Sequence, residues 1–405
     1  MITAKAAAIE LTSDEIRIAV VKTGGAKVTI LELKSCPITT ENPELYPVAA
    51  AEALSKTLSE LSHQPSSYVL CLNAEQAIIR PITIPFRGKR RVGAAVQFEL
   101  EPYLAFPIDE LLVDHHITTE ADGETDVLAI GIRRNIAEQQ LDILEEAGIS
   151  PDAITLDAVA LAGLWTTTQK NSKEIHAQLF VRKDNTCLTI TQGKNILYVR
   201  HLPWTATQLQ DAPQQALRDL QHTFRAFTTT WRGNGEIQHL HILGLSLEPQ
   251  TRETFDDGLP FPTTDGLLVS TLRGGGLAPA ARPGSDQLNT WEATVGAAFA
   301  AGGRCTSIDF NRNERSPHTI INRTITHLLF STCLALILLL GWALYYHFGT
   351  SKYQHAARQI QSEIDSLTGE IDTLSGEILG LDTGIFSDPT LLDVLKDIAI
   401  AMPEN

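Results

Sequence analysis

The sequence predicts an α/β body built from two repeated halves, followed by one membrane-crossing helix and a coiled coil. Three observations carry that expectation. Two short β-meanders, within residues 7–34 and 177–200, are each followed by helical segments, the pattern of a duplicated α/β architecture. An uncharged apolar run occupies Leu328–Phe348. Beyond that run, apolar residues recur at alternating spacings of four and three, a heptad seam.

The elements follow in chain order. Ala7–Leu11 and Ile16–Val21 alternate in the manner of half-buried strands, and the turn signal Thr23-Gly24-Gly25 leads to a third strand, Val28–Leu33. A helix over Pro47–Ser62 and a strand over Ser67–Leu72 complete the first half. Residues 74–150 read as an inserted α+β subdomain: strand Ala77–Ile84, helix Val92–Pro102, strands Leu112–Ile117 and Asp126–Ile132, and helix Ile136–Ala147. Gly148 supplies a left-handed stop to that last helix. The second half opens with a helix over Asp157–Trp165. Its meander comprises Ala177–Val181, Cys187–Gln192 and Asn195–Arg200, followed by helix Pro213–Arg232 and a strand, His239–Leu243, ending at Gly244. A loop-forming stretch at 273–288 precedes the small-residue helix Trp291–Ala301. The body therefore spans 1–302, and 303–326 forms a linker.

The span is assigned to 327–348. At about 1.5 Å per residue, an uncharged run of this length covers the roughly 30 Å hydrocarbon layer as a helix. Trp342, Tyr345 and Tyr346 cluster at its C-terminal end, where amphipathic rings suit the headgroup level. The start of the chain, MITAKAAAIELTSDEIRIAVV, meets acidic residues too early for a signal peptide's apolar stretch. Arg312, Arg315 and Arg323 lie before the span, against Lys352 and Arg358 after it. Both points place the body in the cytoplasm and make the chain a single-pass inner-membrane protein.

In the coil, assigned to 354–382, the seam is Ile360, Ile364, Leu367, Ile371, Leu374, Ile378 and Leu381. Ile at a and Leu at d favours a parallel two-stranded coil. Glu363, Glu370 and Glu377 stand at g, while Gln361, Thr368 and Ser375 at e offer them no partner in a homodimer. The pattern leans toward a heterodimer with a basic helix, a homodimer being the other arrangement. After Pro389, residues 391–398 form an amphipathic helix, and the sequence stops at Asn405 as though a further domain begins at 388.

Composition excludes several functions. A formal net charge of −16 argues against a nucleic-acid ligand, whose phosphates need a basic surface. The basic run Lys89-Arg90-Arg91 reads as a solvated loop. The five cysteines form no CxxC pair, so neither a zinc site nor a disulfide framework is indicated. His115 and His116 are adjacent on a strand and point to opposite faces. No metal site and no catalytic constellation is expected.

One stretch, Val96-Gln97-Phe98-Glu99-Leu100-Glu101-Pro102-Tyr103-Leu104-Ala105-Phe106-Pro107, resembles the E-x-x-x-Y-I-P-F-P signature of PilM, the actin-like protein of type IV pilus assembly. Ala147-Gly148-Ile149 with Leu156–Leu161, and then Val295–Phe299, match further PilM segments in the same order. Ile308-Asp309-Phe310-Asn311 resembles a degraded start of PilN, and Leu391–Asn405 the opening of PilN's ferredoxin-like periplasmic domain. A PilM body joined to a PilN tail is the layout of GspL, the inner-membrane platform protein of type II secretion. The resemblance implies an actin-like, duplicated ribonuclease H-like fold with an inserted subdomain, and a ferredoxin-like domain begun at 388–405.

Actin-like folds hold ATP with glycine-containing hairpin turns whose N–H groups cradle phosphate. Here the first turn reads Glu10-Leu11-Thr12-Ser13, with Thr where glycine belongs. The second, Lys183-Asp184-Asn185-Thr186, lacks the D-x-G pair, and Gly244 stands alone where the adenosine turn needs two glycines. The resemblance therefore implies no enzyme and no cofactor. ATP is the one cofactor the fold raises, and the eroded turns argue against it.

The expected function is a bitopic scaffold that couples a cytoplasmic assembly ATPase to periplasmic partners, a PilO/GspM-like bitopic protein among them. Ile308, Phe310 and Asn311 form its candidate docking peptide. A membrane-anchored actin-like ATPase or filament protein is the alternative. The sequence does not separate a pilus machine from a secretion machine.

Overall fold

The computed structural model describes residues 4–24, 27–40, 42–168, 173–183, 185–266, 289–301, 308–311 and 317–385. The chain divides into two units, Met1–Arg315 and Ser316–Asn405.

The first unit is built on two five-stranded sheets of one topology. In the first sheet, β1 (Ala4–Leu11), β2 (Glu15–Gly24) and β3 (Lys27–Pro37) form an antiparallel meander, and β4 (Ser67–Leu72) and β8 (Ala153–Leu156) run parallel to β1. The order is β3-β2-β1-β4-β8. The second sheet repeats this arrangement with β9 (Ile175–Val181), β10 (Thr186–Gln192), β11 (Asn195–Leu202), β12 (Ile237–Gly244) and β13 (Thr263–Asp265), in the order β11-β10-β9-β12-β13. This duplicated meander-plus-parallel-pair is the actin-like arrangement. Ala6, Ala7, Ala8 and Ile9 of β1 are all buried, as the middle strand of a doubly covered sheet requires.

Helices α4 (Asp157–Thr168) and α8 (Glu292–Ala301) pack against one another between these halves. Their side chains share a core with Ala8 and Val69 of the first sheet and Phe180 and Leu243 of the second. The helices approach so closely at Gly296 that a Cβ there would lie 2.2 Å from the Ala160 carbonyl oxygen.

Between β4 and β8 the chain forms a third sheet from β5 (Ala77–Ile84), β6 (Leu111–Ala121) and β7 (Glu124–Arg133), antiparallel in the order β5-β7-β6. Helix α2 (Lys89–Leu100) packs on it through Val92, Val96 and Leu100. Helices α1 (Tyr46–Ser59) and α3 (Arg134–Glu146) flank the first sheet's core. Against the second sheet lie α5 (Ala206–Asp211), α6 (Pro213–Thr230) and α7 (Pro249–Gly258).

Several elements depart from expectation. The run Lys89-Arg90-Arg91 is not a loop; it opens α2, with all three side chains exposed. β3 runs on to Pro37, since β2 stays paired with it to Glu15. Strands β8 and β13 are too short to show a period. Helix α7 buries only Thr251 and Phe255, so it carries no apolar stripe to read.

The second unit is one continuous helix, α9 (Pro317–Ile385). Residues 317–326, expected as linker, are helical. The expected span lies inside α9, yet among the described residues no helix is long and apolar enough to cross a membrane. The side chains described in that apolar stretch cover 331–345, short of the ~20 residues a span needs. The seam residues Ile360, Ile364, Leu367, Ile371 and Leu374 are each at least half exposed along α9. Ile378 and Leu381 lie beyond the described side chains, and 388–405 lies outside the described residues.

Candidate functional site

Two hairpin turns, β1–β2 and β9–β10, line one cleft in the first unit. Thr12, Ser13, Asp14, Arg17, Arg182, Lys183, Gly244 and Thr290 are among its walls. Its volume is about 240 Å³, and a second cleft of about 550 Å³ shares Thr12, Ser13 and Arg182 with it and adds Glu10, Asn73 and Gln139.

The first turn is closed upon itself. The Thr12 hydroxyl accepts from the Glu15 N–H at 3.0 Å, and the Thr12 N–H donates to the Glu15 carbonyl at 2.9 Å. The Tyr46 hydroxyl donates to the Thr12 carbonyl at 2.6 Å, pinning the turn to α1. The Thr12 N–H is thus already spent within the turn. In the second turn, the Arg182 N–H donates to the Asn185 carbonyl at 2.8 Å. Asn185 and Thr186 are buried and are absent from the cleft wall; Asp184 lies outside the described residues.

Gly244 ends β12 with φ of +81°, and a Cβ there would lie 2.2 Å from the Val181 carbonyl oxygen. The same carbonyl accepts from the Leu245 N–H at 2.9 Å. The Gly244 N–H donates to Glu292 Oε2 at 3.2 Å. This glycine lets β12 close on β9, and its N–H is already bound to a carboxylate.

Beneath the turns lies a buried charge cluster. Arg182, at the end of β9, donates through Nη1 to Glu10 Oε1 of β1 and, at 3.2 Å, to Asp157 Oδ2 at the start of α4. The other Glu10 oxygen accepts from the Thr294 hydroxyl at 2.6 Å and lies 4.0 Å from Arg17. Asp157 Oδ1 accepts from the N–H groups of Ala74 at 2.8 Å and Ala158 at 2.7 Å. Glu10, Asp157 and Arg182 are 3%, 1% and 8% exposed, so the ion pairing is largely shielded from solvent. Burial alone would push the Glu10 carboxyl up; the Arg182 and Arg17 guanidinium groups and the Thr294 hydroxyl more than offset it and hold it below its usual range. For Asp157, burial wins against Arg182 and the carboxyl rises to about 6. The arginine that follows β9 thus sits between the carboxylate of Glu10 on β1 and that of Asp157 at the start of α4, so the cleft floor supplies its own cation.

Of the residues expected from the sequence, Thr12, Ser13 and Gly244 line the cleft and Glu10 lies beneath it; Arg182, one residue before the expected second turn, was not foreseen. Arg17, Glu292 and Thr294 were missed too. A lone glutamate inside the apolar strand Ala6–Leu11 was the available signal, since such a charge demands a buried partner.

The segment 308–311 occupies a second site. Ile308 and Phe310 are each 1% exposed and share a core with Leu112, Ile132, Leu144 and Ile154. The Phe310 N–H donates to the Ile154 carbonyl at 3.0 Å, adding to the open edge of β8. Asp309 Oδ1 accepts from the N–H groups of Ile154 at 3.2 Å and Asn311 at 3.1 Å, and its own N–H donates to Asp114 Oδ2 of β6 at 2.9 Å. Asn311 Nδ2 donates to the Pro151 carbonyl at 3.3 Å. Among the described residues no group of three or more His, Cys, Asp or Glu side chains could hold a metal ion.

Residues 48–243 match the family model described as Type II secretion system (T2SS), protein L. No curated protein matches the sequence. Among solved structures, the chain is similar to the PilM-PilN type IV pilus biogenesis complex. Identity is 19%, the TM-score is 0.60, and the alignment covers 73% of this chain and 98% of that one. That likeness shows the fold. The cytoplasmic domain of EpsL, an inner membrane component of the type II secretion system of Vibrio cholerae, aligns at 14% identity with a TM-score of 0.42, over 76% of this chain and 98% of that one.

Proposed function

We propose that this chain, GspL/PilM-like in its family match and its fold, is a bitopic inner-membrane platform protein that turns over no nucleotide. Its actin-like body recruits the assembly ATPase of a type II secretion or type IV pilus system. Residues 327–348 cross the membrane, and the seam beyond them pairs with a PilO/GspM-like bitopic partner. The single observation that carries the non-enzymatic reading is the Glu10–Arg182–Asp157 cluster. A buried guanidinium occupies the floor of the cleft, and the N–H groups of Thr12, Arg182 and Gly244 already have acceptors.

Segment 308–311 acts in this reading as the PilN-like peptide, carried on the same chain and docked in cis along β8. Its buried Ile308 and Phe310 and its backbone bond to Ile154 support that role. Docking there would hold the body to the membrane-proximal linker, so that a movement of one is felt by the other.

Co-purification tests the platform role. The full-length protein in detergent is expected to recover a hexameric assembly ATPase and a bitopic coil partner from its own cells. Exchanging Glu363, Glu370 and Glu377 for lysine should cut recovery of the coil partner and leave the ATPase bound. Recovery of neither protein by the wild type contradicts the reading.

A further inference from the structure

Two sheets of the body each leave an edge strand facing the same trough. β5 ends the three-stranded sheet and β11 ends the second five-stranded sheet. One stretch of the trough is lined by Ala77–Pro81 of β5, Tyr198–His201 of β11, and Ala226 and Thr230 of α6, with a volume of about 490 Å³. A second stretch of about 370 Å³ shares Pro81, Tyr198 and Thr230 with it and continues toward Asp126 and Arg232.

The two edges are not equivalent. Pro81 lies in the middle of β5 and offers no N–H, which blunts that edge as a pairing surface. β11 carries no proline from Asn195 to Leu202. Its first residues are tied across to β6, the Ile196 N–H donating to His116 Nε2 at 3.3 Å and Asn195 Nδ2 to the Thr118 carbonyl at 3.4 Å. From Leu197 onward, among the described residues, β11 pairs only with β10.

Charge defines the occupant. The first stretch of the trough carries Arg80 and Arg200 and no acidic lining residue. Both arginines are exposed, on strands that face each other, and among the described residues neither has a carboxylate partner. Arg232, at the far end, is paired to Glu124 at 2.6 Å. On a chain of net charge −16, this arginine-flanked first stretch, free of acidic lining residues, is a local reversal of sign. Positive patches of this kind steer and register acidic partners, and an open strand edge supplies the backbone bonds of strand addition.

We propose that the β5–β11 trough binds an extended acidic segment of a partner protein, which adds as a strand to β11 and places its carboxylates on Arg80 and Arg200. Side chains that alternate toward the trough floor would meet Tyr198, Val199 and Ala226. The site is separate from both the charged cleft and segment 308–311, so it stands or falls apart from the nucleotide reading.

The test uses the full-length protein in detergent and a fluorescein-labelled octapeptide alternating valine and glutamate. The expected result is saturable binding in fluorescence anisotropy, with amide-exchange protection of residues 197–201. Arg80→Glu with Arg200→Glu, both on exposed side chains, should weaken binding at least tenfold, and a central proline in the peptide should abolish it. Equal binding of the lysine-for-glutamate peptide, undiminished binding to the double variant, or no protection of β11 would each overturn the proposal. Concentration-dependent self-association abolished by the double variant would overturn it too, assigning the trough to a second copy.

Discussion

The charged cleft and the β8 edge are two sites of one body, and both are filled from within, by opposite chemistry. In the cleft the filler is a single guanidinium, Arg182, held between Glu10 and Asp157. At β8 it is a short peptide, anchored by the apolar side chains of Ile308 and Phe310 and by backbone bonds. A buried charge holds its neighbours by electrostatics in a low dielectric, and its loss leaves uncompensated carboxylates. A buried phenylalanine contributes roughly in proportion to the area it covers. The cleft should therefore be brittle and the edge graded.

The largest effect expected from that contrast is at Arg182. Arg182→Ala should destabilise the body by about 3–5 kcal/mol, the cost of breaking a buried ion pair from one side. Combining Arg182→Met with Glu10→Gln and Asp157→Asn should restore most of this loss, because no charge is then left unpaired. Chemical denaturation of the three proteins checks both. An Arg182→Ala protein as stable as wild type would break the contrast.

Next comes the β8 edge. Phe310→Ala should cost about 1.5–3 kcal/mol, the worth of burying one large apolar side chain. The loss should be local: amide exchange of Ile154 and Phe310 should quicken while β1 and β9 stay protected. A global loss instead would mean that the peptide supports the body as the cluster does.

The smallest effect concerns the tie between sheets at His116. Burial, with the neighbouring His115, lowers its pKa from the model-peptide value to about 4, and its Nε2 must be unprotonated to accept from the Ile196 N–H. A histidine depressed in the folded state takes up its proton first in the unfolded one. Its contribution is therefore present above about pH 6.5 and lost as pH falls from there toward about 4. Discounted for partial exposure, the loss is on the order of 1–2 kcal/mol. His116→Gln should flatten this part of the stability–pH profile.

Much of the fold was legible because its signals are local. The two meanders could be read from alternation, as in Ile16–Val21, and the helices α3 and α6 from their apolar stripes. What escaped was short or distant. β8 has four residues, too few for a period, and yet its edge carries the bond to Phe310. α7 has almost no buried face. Arg182 and Glu10 stand 172 positions apart, so no local pattern joins them. The turns themselves, at Thr12 and Gly244, could be located from the sequence; the Arg182 contacts with Glu10 and Asp157 became visible only when both sheets were folded against each other.

Thermal unfolding of the full-length protein with and without millimolar Mg·ATP tests the central claim most directly, namely that Arg182 occupies the floor of the cleft. A cleft that holds its own cation should give no shift in Tm. A ligand present at 100 times its Kd would stabilise the folded state by about 2.7 kcal/mol, which would raise Tm by several degrees. Such a rise in the wild-type protein would contradict the account.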